Sequence, residues 1–222
     1  MKIICHKSCP VDAPENTIAA VRGLDERVDM IEIDVQRCQT GELVVFHDKA
    51  LGRLTGFSEA VAGASWDRLR SIPLDGTEET IPRFETLVEA VPDGVAINVE
   101  LKHAGMTEEL VRLAEDVDNE LLFSSFTPQA IAGFDEHGYA TGHLVHGELF
   151  EGWSAELDVA ASIGCEYVHP HHTLVTEDRV AAANDKGLRV IAWTVPNGET
   201  VAELRAAGVD GVIVDDWCDV PS

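Results

Sequence analysis

Eight short runs rich in apolar and β-branched residues recur along the chain, and segments with helical periodicity separate most of them. These runs are Lys2–Cys5, Met30–Val35, Val95–Leu101, Leu121–Phe126, Thr141–Val145, Tyr167–His169, Arg189–Thr194 and Gly211–Val214. Several are continuously apolar rather than alternating, which is typical of parallel strands covered by helices. Eight strands that alternate with helices predict an α/β fold, the closed (β/α)8 barrel.

The intervening segments carry the signals of helix ends. Thr176 is a good N-cap residue and Gly187 a good terminator, as is Gly208. We expect helices at Pro14–Arg27, Arg83–Val91, Thr107–Val117, Thr176–Lys186 and Glu199–Ala207. Glycine-rich phosphate-binding motifs are absent from the sequence, which disfavours an open nucleotide-binding sheet.

A chain of 222 residues suits one domain with a full hydrophobic core. We therefore interpret residues 1–222 as a single barrel domain. A long insertion, roughly residues 36–82, follows the second predicted strand and contains a strand-like run, Glu42–His47. Few residues follow the eighth predicted strand, so the last helix is expected to be short or missing in Trp217–Ser222.

The charge balance excludes some classes of partner. The chain has 40 Asp and Glu against 16 Lys and Arg, a formal net charge of -24. Such a surface repels nucleic acid and anionic membranes, so we expect neither as a partner. Scattered acids and few lysines are similar to the composition of halophilic archaeal proteins, in which salt screens self-repulsion.

The sequence also bears on location. It contains no apolar stretch of about 18 residues or more and no secretion signal at its start. We expect a cytoplasmic protein without stable membrane insertion; its oligomeric state is not indicated. The five cysteines (Cys5, Cys9, Cys38, Cys165 and Cys218) are then expected to be reduced, and no second cysteine pair completes a zinc site beside His6.

Carboxylates collect at the carboxyl ends of two predicted strands, where barrel enzymes place their chemistry. Glu32 and Asp34 are two residues apart on a strand, so both side chains face the same way, and Glu100 ends the next barrel strand. Buried carboxylates need a compensating charge. Either a hard divalent cation or an acid–arginine network would supply it.

Other titratable groups lie at the same end. His6 and His47 each follow an apolar run directly, and two imidazoles can accept and donate a proton in one cycle. Lys102 follows Glu100 and could neutralise a phosphate or form a Schiff base. His169, His171 and His172 are interpreted as packing or surface residues.

An ordered series of motifs resembles the glycerophosphodiester phosphodiesterase family over nearly the whole chain. The motifs are His6–Ser8, Pro14–Thr17, Glu32–Val35, Gly41–Asp48, Ile81–Pro82, Val99–Lys102, Ser125–Phe126, Trp193–Val195 and Gly208–Val212. Each motif is weak alone, whereas their order is specific. The family usually begins with His-Arg-Gly, and this chain has His6-Lys7-Ser8. Lysine keeps the charge of arginine but not its two-donor fork.

The resemblance implies a barrel with an insertion after the second strand and hydrolysis of glycerophosphodiesters to sn-glycerol 3-phosphate and an alcohol. It implies one divalent cation, Mg²⁺ or Ca²⁺, with Mn²⁺ as a further candidate. The implied roles are metal ligands at Glu32, Asp34 and Glu100, acid–base catalysis by His6 and His47, and substrate contacts from Lys7, Lys102 and Trp193.

Three alternatives stay open at this point. One is a related barrel acting on choline phospholipids, similar to sphingomyelinase D. Another is an aldolase that uses Lys102 as its Schiff-base amine. The third is a protein that binds a phosphodiester or a metal without catalysis.

Overall fold

Eight parallel strands close into a barrel. The computed structural model describes residues 1–9, 12–148 and 152–216. Its strands are β1 (Lys2–Cys5), β2 (Met30–Arg37), β3 (Leu43–Val45), β4 (Ala96–Leu101), β5 (Leu121–Ser125), β6 (Ala140–Val145), β7 (Tyr167–Pro170), β8 (Arg189–Val195) and β9 (Gly211–Val214). They pair in the order β1-β9-β8-β7-β6-β5-β4-β2, and β1 pairs with β2 to close the ring. The predicted (β/α)8 barrel is confirmed.

Helices cover the outside of the barrel, except for two short ones that lie in the insertion after β2. They are α1 (Ile18–Arg22), α2 (Gly52–Thr55), α3 (Trp66–Leu69), α4 (Phe84–Val88), α5 (Thr107–Ala114), α6 (Pro128–Ile131), α7 (Trp153–Ser162), α8 (Glu177–Asp185) and α9 (Gly198–Ala206). The predicted cap of α8 is confirmed, because the Thr176 side chain accepts a hydrogen bond from the Arg179 amide. None of the helices in the described ranges is long and apolar enough to cross a membrane.

The predicted bounds of the first helix, Pro14–Arg27, were wrong at both ends. Asn16 has a left-handed φ of 58°, and Thr17 is extended and caps the helix by accepting from the Ala20 amide. The helix therefore begins only at Ile18, and it ends before Gly23. The segment before it is a loop that returns to the barrel mouth. The prediction of a short or missing final helix in Trp217–Ser222 lies outside the described residues.

Two apolar layers fill the barrel and the space between its strands and helices. The larger lies between the strands and the helices. The other fills the barrel interior and is made by one inward residue of each of seven strands: Ile4, Met30, Ala96, Leu122, Tyr167, Ile191 and Ile213. Toward the carboxyl ends of the same strands the inward-facing residues are polar, so the interior is hydrophilic near the mouth of the barrel.

The insertion packs as a small unit beside the mouth. Its strand β3 runs antiparallel to β2, with Val45 opposite Val35. Beneath it lies a separate apolar cluster: Cys38, Val44, Phe46, Leu51, Val61, Ala64, Leu69, Ile72, Leu74 and Ile81. The Phe46 amide donates to the Asp34 carbonyl oxygen at 2.9 Å. This anchoring brings His47 to the carboxyl end of β2.

The expectation that all cysteines are reduced was wrong for one pair. Cys5 and Cys9 form a disulfide across four residues, with Cα atoms 4.8 Å apart. The backbone between them turns sharply, which brings the two side chains together. Cys38 and Cys165 are free and buried, in keeping with the expectation.

Candidate active site

Three buried carboxylates meet at the barrel mouth. Glu32 and Asp34 lie on β2, and Glu100 lies on β4 directly opposite Asp34 in the parallel register. One oxygen from each lies within 4.8 Å of the others. The three acids predicted from spacing are therefore brought together.

Burial sets the protonation of this cluster. Burial, reinforced by the neighbouring carboxylates, raises the pKa of Glu32 well above its ordinary value and also raises that of Glu100. Burial acts in the same direction on Asp34 and is the largest single effect there, but the Lys102 ammonium, His47 and the Asn16 hydrogen bond together outweigh it and lower the pKa of that carboxyl. With all three carboxyls ionised, the negative charge of the cluster would exceed the positive charge around it.

Fixed donors orient the carboxylates. The Lys7 amide donates to Glu32 Oε2 at 2.9 Å, and Asn16 Nδ2 donates to Asp34 Oδ2 at 2.8 Å. Lys102 Nζ lies 2.6 Å from Asp34 Oδ1 and 2.5 Å from Glu100 Oε1. The basic partner of these acids is therefore a lysine, and not the arginine of the alternative interpretation.

The cluster fits a divalent cation. If all three carboxyls were ionised they would exceed the one ammonium by two charges, and Glu32 Oε1 is buried without a hydrogen-bond partner, so a cation would favour the ionised form. All donors are hard oxygens, which suit Mg²⁺, Ca²⁺ or Mn²⁺ rather than a thiolate-seeking metal.

Two histidines stand across the cavity from each other. The ring centroids of His6 and His47 are 6.4 Å apart, and the rings are nearly perpendicular at 88°. His6 Nδ1 lies 2.6 Å from Asp215 Oδ1, and His47 Nδ1 lies 2.6 Å from Asp48 Oδ1. A carboxylate at Nδ1 favours a proton there and leaves Nε2 to exchange a proton with a ligand.

The surroundings of His47 and of its partner Asp48 lower the pKa of both groups. Burial lowers the pKa of His47, which favours the neutral imidazole near neutral pH. The Asp48 carboxylate accepts from Arg53 Nε at 2.7 Å, and Arg53 also pairs with Glu15. Despite partial burial, these hydrogen bonds lower the pKa of Asp48, so it stays ionised. The His6 hydrogen bond likewise lowers the pKa of Asp215.

The three predicted substrate-binding residues occupy different positions. Lys102 and Trp193 line the cavity. Lys7 Nζ lies 3.6 Å from Glu15 Oε1 and is not among the cavity-lining side chains. Its backbone amide, rather than its ammonium, contacts the carboxylate cluster in this conformation.

Aromatic residues form the wall opposite the carboxylates. The Trp193 indole N–H donates to the His169 carbonyl oxygen at 2.8 Å, and Phe126 meets Trp193 edge-on at 5.3 Å between centroids. His171 contacts the other side of Trp193 at 5.1 Å. His169 is fully buried, in keeping with its interpretation as a packing residue. The wall offers an apolar face to the cavity.

Three residues that the sequence interpretation did not assign contribute to the site. Asp215 directly follows β9, the eighth barrel strand, so its position at a strand end was its signal. Asp48 adjoins His47, and adjacency was its signal. Asn16 belongs to the Pro14–Thr17 motif, but residue spacing did not predict its contact with Asp34, which depends on the loop before α1.

Comparisons with known proteins agree with this geometry. The model of the glycerophosphoryl diester phosphodiesterase family matches residues 6–217. A glycerophosphodiester phosphodiesterase of Caldanaerobacter subterraneus subsp. tengcongensis is 27% identical over 96% of this chain and 93% of its own length. Another, of Bacillus altitudinis, is 28% identical over 96% of this chain and 94% of its own length.

One of the similar solved structures contains a bound product. An Oleispira antarctica phosphodiesterase, in complex with the product sn-glycerol-3-phosphate, is 27% identical, with a TM-score of 0.82 over 97% of this chain and 93% of that one. The sphingomyelinase D and aldolase alternatives gain no support. Although burial acts to lower it, Asp34 and Glu100 raise the pKa of Lys102, whereas a Schiff-base amine must be neutral. The chain is an enzyme that belongs to the glycerophosphoryl diester phosphodiesterase family.

Proposed function

We propose that the protein hydrolyses glycerophosphodiesters to sn-glycerol 3-phosphate and an alcohol, with a divalent cation and with His6 and His47 as the acid–base pair. The observation that carries this proposal is the pair of imidazoles facing each other at 6.4 Å beside a buried carboxylate cluster. One imidazole removes a proton from the attacking hydroxyl group. The other donates a proton to the alkoxide that leaves when the phosphorus–oxygen bond breaks.

Glu32, Asp34 and Glu100 would hold the cation, for which we propose Mg²⁺ or Ca²⁺, with Mn²⁺ as a third candidate. Bound there, it would supply Lewis-acid stabilisation of charge on the phosphate oxygens. Lys102 keeps its proton beside Asp34 and Glu100 and adds positive charge at the same place. Lys7 adds charge if its side chain leaves Glu15 and turns to the phosphate.

The rest of the substrate would contact the opposite wall. Trp193 and Phe126 offer an apolar surface to the carbon atoms of a small glycerophosphodiester. The attacking hydroxyl group belongs to water or to the second carbon of the glycerol, and the second route passes through a cyclic phosphate. The two routes need the same pair of histidines.

The setting of the enzyme is part of the proposal. We propose that residues 1–222 form one catalytic domain in the cytoplasm, with residues 36–82 as an insertion beside the mouth. We also propose that the net charge of -24 reflects adaptation to high salt, as in halophilic archaea.

A substrate panel tests the function directly. Glycerophosphodiesters with different head groups are incubated with the enzyme, and glycerol 3-phosphate is detected. We expect activity with added Mg²⁺, Ca²⁺ or Mn²⁺, loss of activity with a chelator, and recovery when metal is returned. The Asp34→Ala variant should be inactive while its circular dichroism spectrum is unchanged. Full activity in metal-free protein would refute the metal requirement.

A further inference from the structure

The loop from Cys5 to Cys9, here called the first loop, has an unusual backbone. Lys7, Ser8 and Cys9 have φ values of 49°, 67° and 46°, so three consecutive non-glycine residues lie in the left-handed region. Side chains with a Cβ disfavour that region, and runs of such residues are rare. Another interaction must hold the loop in this conformation.

The conformation matters because the first loop orients the site. The Lys7 amide donates to Glu32 Oε2 at 2.9 Å, and the Lys7 carbonyl oxygen accepts from the Asn16 amide at 3.0 Å. Asn16 in turn donates to Asp34 through its side chain. His6, at the start of the loop, has its Nε2 4.0 Å from Glu32 Oε2. One short stretch of backbone thus positions an imidazole and two carboxylates.

The disulfide joins the two ends of this loop. Cys5 is fully buried on β1, where it pairs in register with Ile31 of β2 and Val214 of β9. Cys9, at the far end, is buried as well. Since Cys5 is fixed by two neighbouring strands, the covalent bond to Cys9 restricts the loop to conformations that return to β1.

We propose that Cys5 and Cys9 are positioning residues, and that their disulfide holds the first loop in the arrangement that the site requires. The effect of the disulfide on kcat can be measured only if the proposed function holds, so this part of the proposal rests on that function. Reduction by a dithiol breaks the S–S bond: two electrons and two protons pass to the two sulfur atoms, which become thiols, and the dithiol is oxidised to a cyclic disulfide. The loop can then leave the left-handed region, so His6 and the Lys7 amide lose their fixed relation to Glu32.

The test compares the oxidised and reduced enzyme. A variant with Cys38, Cys165 and Cys218 replaced by alanine keeps only the pair in question, and mass spectrometry before and after dithiothreitol shows a gain of two hydrogen atoms. We expect kcat for a glycerophosphodiester to fall about tenfold on reduction, with KM changing less. A Cys5→Ala/Cys9→Ala variant should have the lower kcat and should not respond to dithiothreitol, which also controls for metal chelation by the reductant.

A rescue separates positioning from general stability. Glycine adopts positive φ without steric cost, so adding Ser8→Gly to the Cys5→Ala/Cys9→Ala variant should restore most of the lost kcat. Affinity for Mg²⁺, measured by titration calorimetry without substrate, should weaken on reduction and recover with Ser8→Gly. Equal kcat in the two redox states would overturn the proposal; if no substrate is turned over, equal Mg²⁺ affinity in the two states would overturn it.

The outcomes also separate the two proposals. If neither redox state releases glycerol 3-phosphate from any substrate, the proposed function fails, and Mg²⁺ affinity still decides the role of the disulfide. If the oxidised enzyme is active and the reduced enzyme is equally active, the function stands and the positioning role fails. A loss of kcat that Ser8→Gly leaves unchanged would contradict the role assigned to the left-handed backbone.

Discussion

At the residue scale, the two cavity histidines are built alike. Each is joined at Nδ1 to a carboxylate, Asp215 for His6 and Asp48 for His47, and each lines the same cavity. The pairing predicts that both imidazoles keep Nε2 for proton transfer. Their removal should therefore have similar consequences.

We expect His6→Ala and His47→Ala each to lower kcat about 10²-fold or more, because each removes one proton-transfer group. The double variant should lose far less than the product of the two, since the residues act in one cycle. Steady-state kinetics with one glycerophosphodiester measures this, and the exposed His137→Ala is the matched control. A single variant with unchanged turnover would remove that histidine from the mechanism.

Asp215→Asn tests the carboxylate that no sequence argument assigned. Asparagine has nearly the same shape, but it cannot stabilise a charged imidazole, so kcat should fall roughly tenfold or more. The exposed Glu203→Gln on α9 removes the same charge elsewhere and should leave kcat unchanged. A pH–rate profile completes the test: the profile of Asp215→Asn should be displaced, and coincident profiles would show that Asp215 does not act on His6.

At the scale of elements, strands were predicted more accurately than helices. All eight barrel strands lie within a few residues of their predicted bounds, because buried parallel strands are marked by apolar runs. The segment Pro14–Arg27 forms only α1 (Ile18–Arg22), and Arg83–Val91 forms α4 (Phe84–Val88). Helix periodicity continues through the flanking loops, whereas cap geometry decides where a helix stops.

The loop after β1 also determines what Lys7 can do. Its ammonium pairs with Glu15 at 3.6 Å, yet it adjoins His6. If Lys7 turns to the phosphate, Lys7→Ala should lower kcat/KM by about 10²-fold, the cost of losing one transition-state donor. Lys7→Arg should be tolerated or improve turnover, because arginine adds a second donor. Kinetics at one fixed salt concentration compares them, and equal values for all three proteins would exclude Lys7 from the site.

At the scale of the whole molecule, one buried histidine links folding to pH. His169 is fully buried, its ring nitrogens have no hydrogen-bond partner, and burial lowers its pKa to about 3. The absence of a side chain at Gly142 leaves space for the His169 ring, because a Cβ at position 142 would lie 2.5 Å from His169 Nε2. Unfolding exposes an ordinary imidazole, so below about pH 6.5 the unfolded chain binds a proton that the folded protein does not.

Stability should therefore fall as pH decreases from 6.5 toward 3. In urea unfolding, His169→Leu should lose less stability than the wild type between pH 7 and pH 4.5, by roughly 2 kcal/mol. Comparison at each pH cancels the contribution of the many carboxylates common to both proteins. Parallel curves for the two proteins would mean that His169 takes up a proton in the folded state.

The net charge makes the stability of the whole molecule depend on salt concentration. With a net charge of -24, self-repulsion destabilises the compact state, and the screening length falls from about 10 Å at 0.1 M salt to about 3 Å at 1 M. The free energy of unfolding should rise as KCl increases over this range. Urea titrations at several KCl concentrations measure the slope.

A charge-reduced variant is the control for this effect. Glu89, Asp93, Asp116 and Asp118 are exposed and lie around one groove beside α4 and α5. Replacing them with glutamine or asparagine should flatten the dependence on KCl, because fewer like charges remain to be screened. If the free energy of unfolding depends on KCl as steeply in this variant as in the wild type, self-repulsion is not the cause of the salt effect.

The sequence by itself determined the barrel and the membership of the carboxylate cluster. Period-two geometry puts Glu32 and Asp34 on one face, and adjacent parallel strands put Glu100 beside them. Those relations are local or follow from the order of strands, so a pattern of residue types is enough to predict them. The positions of His6 and His47 at strand ends were predicted for the same reason.

Only the tertiary structure shows the partners that lie far away in the sequence. His6 meets Asp215 across 209 positions of sequence only because the barrel closes between β1 and β9. Asn16 reaches Asp34 because its loop turns back before α1, and the left-handed backbone after His6 brings Cys9 to Cys5. Ring closure and loop dihedral angles depend on the whole packed chain, and no residue pattern encodes them.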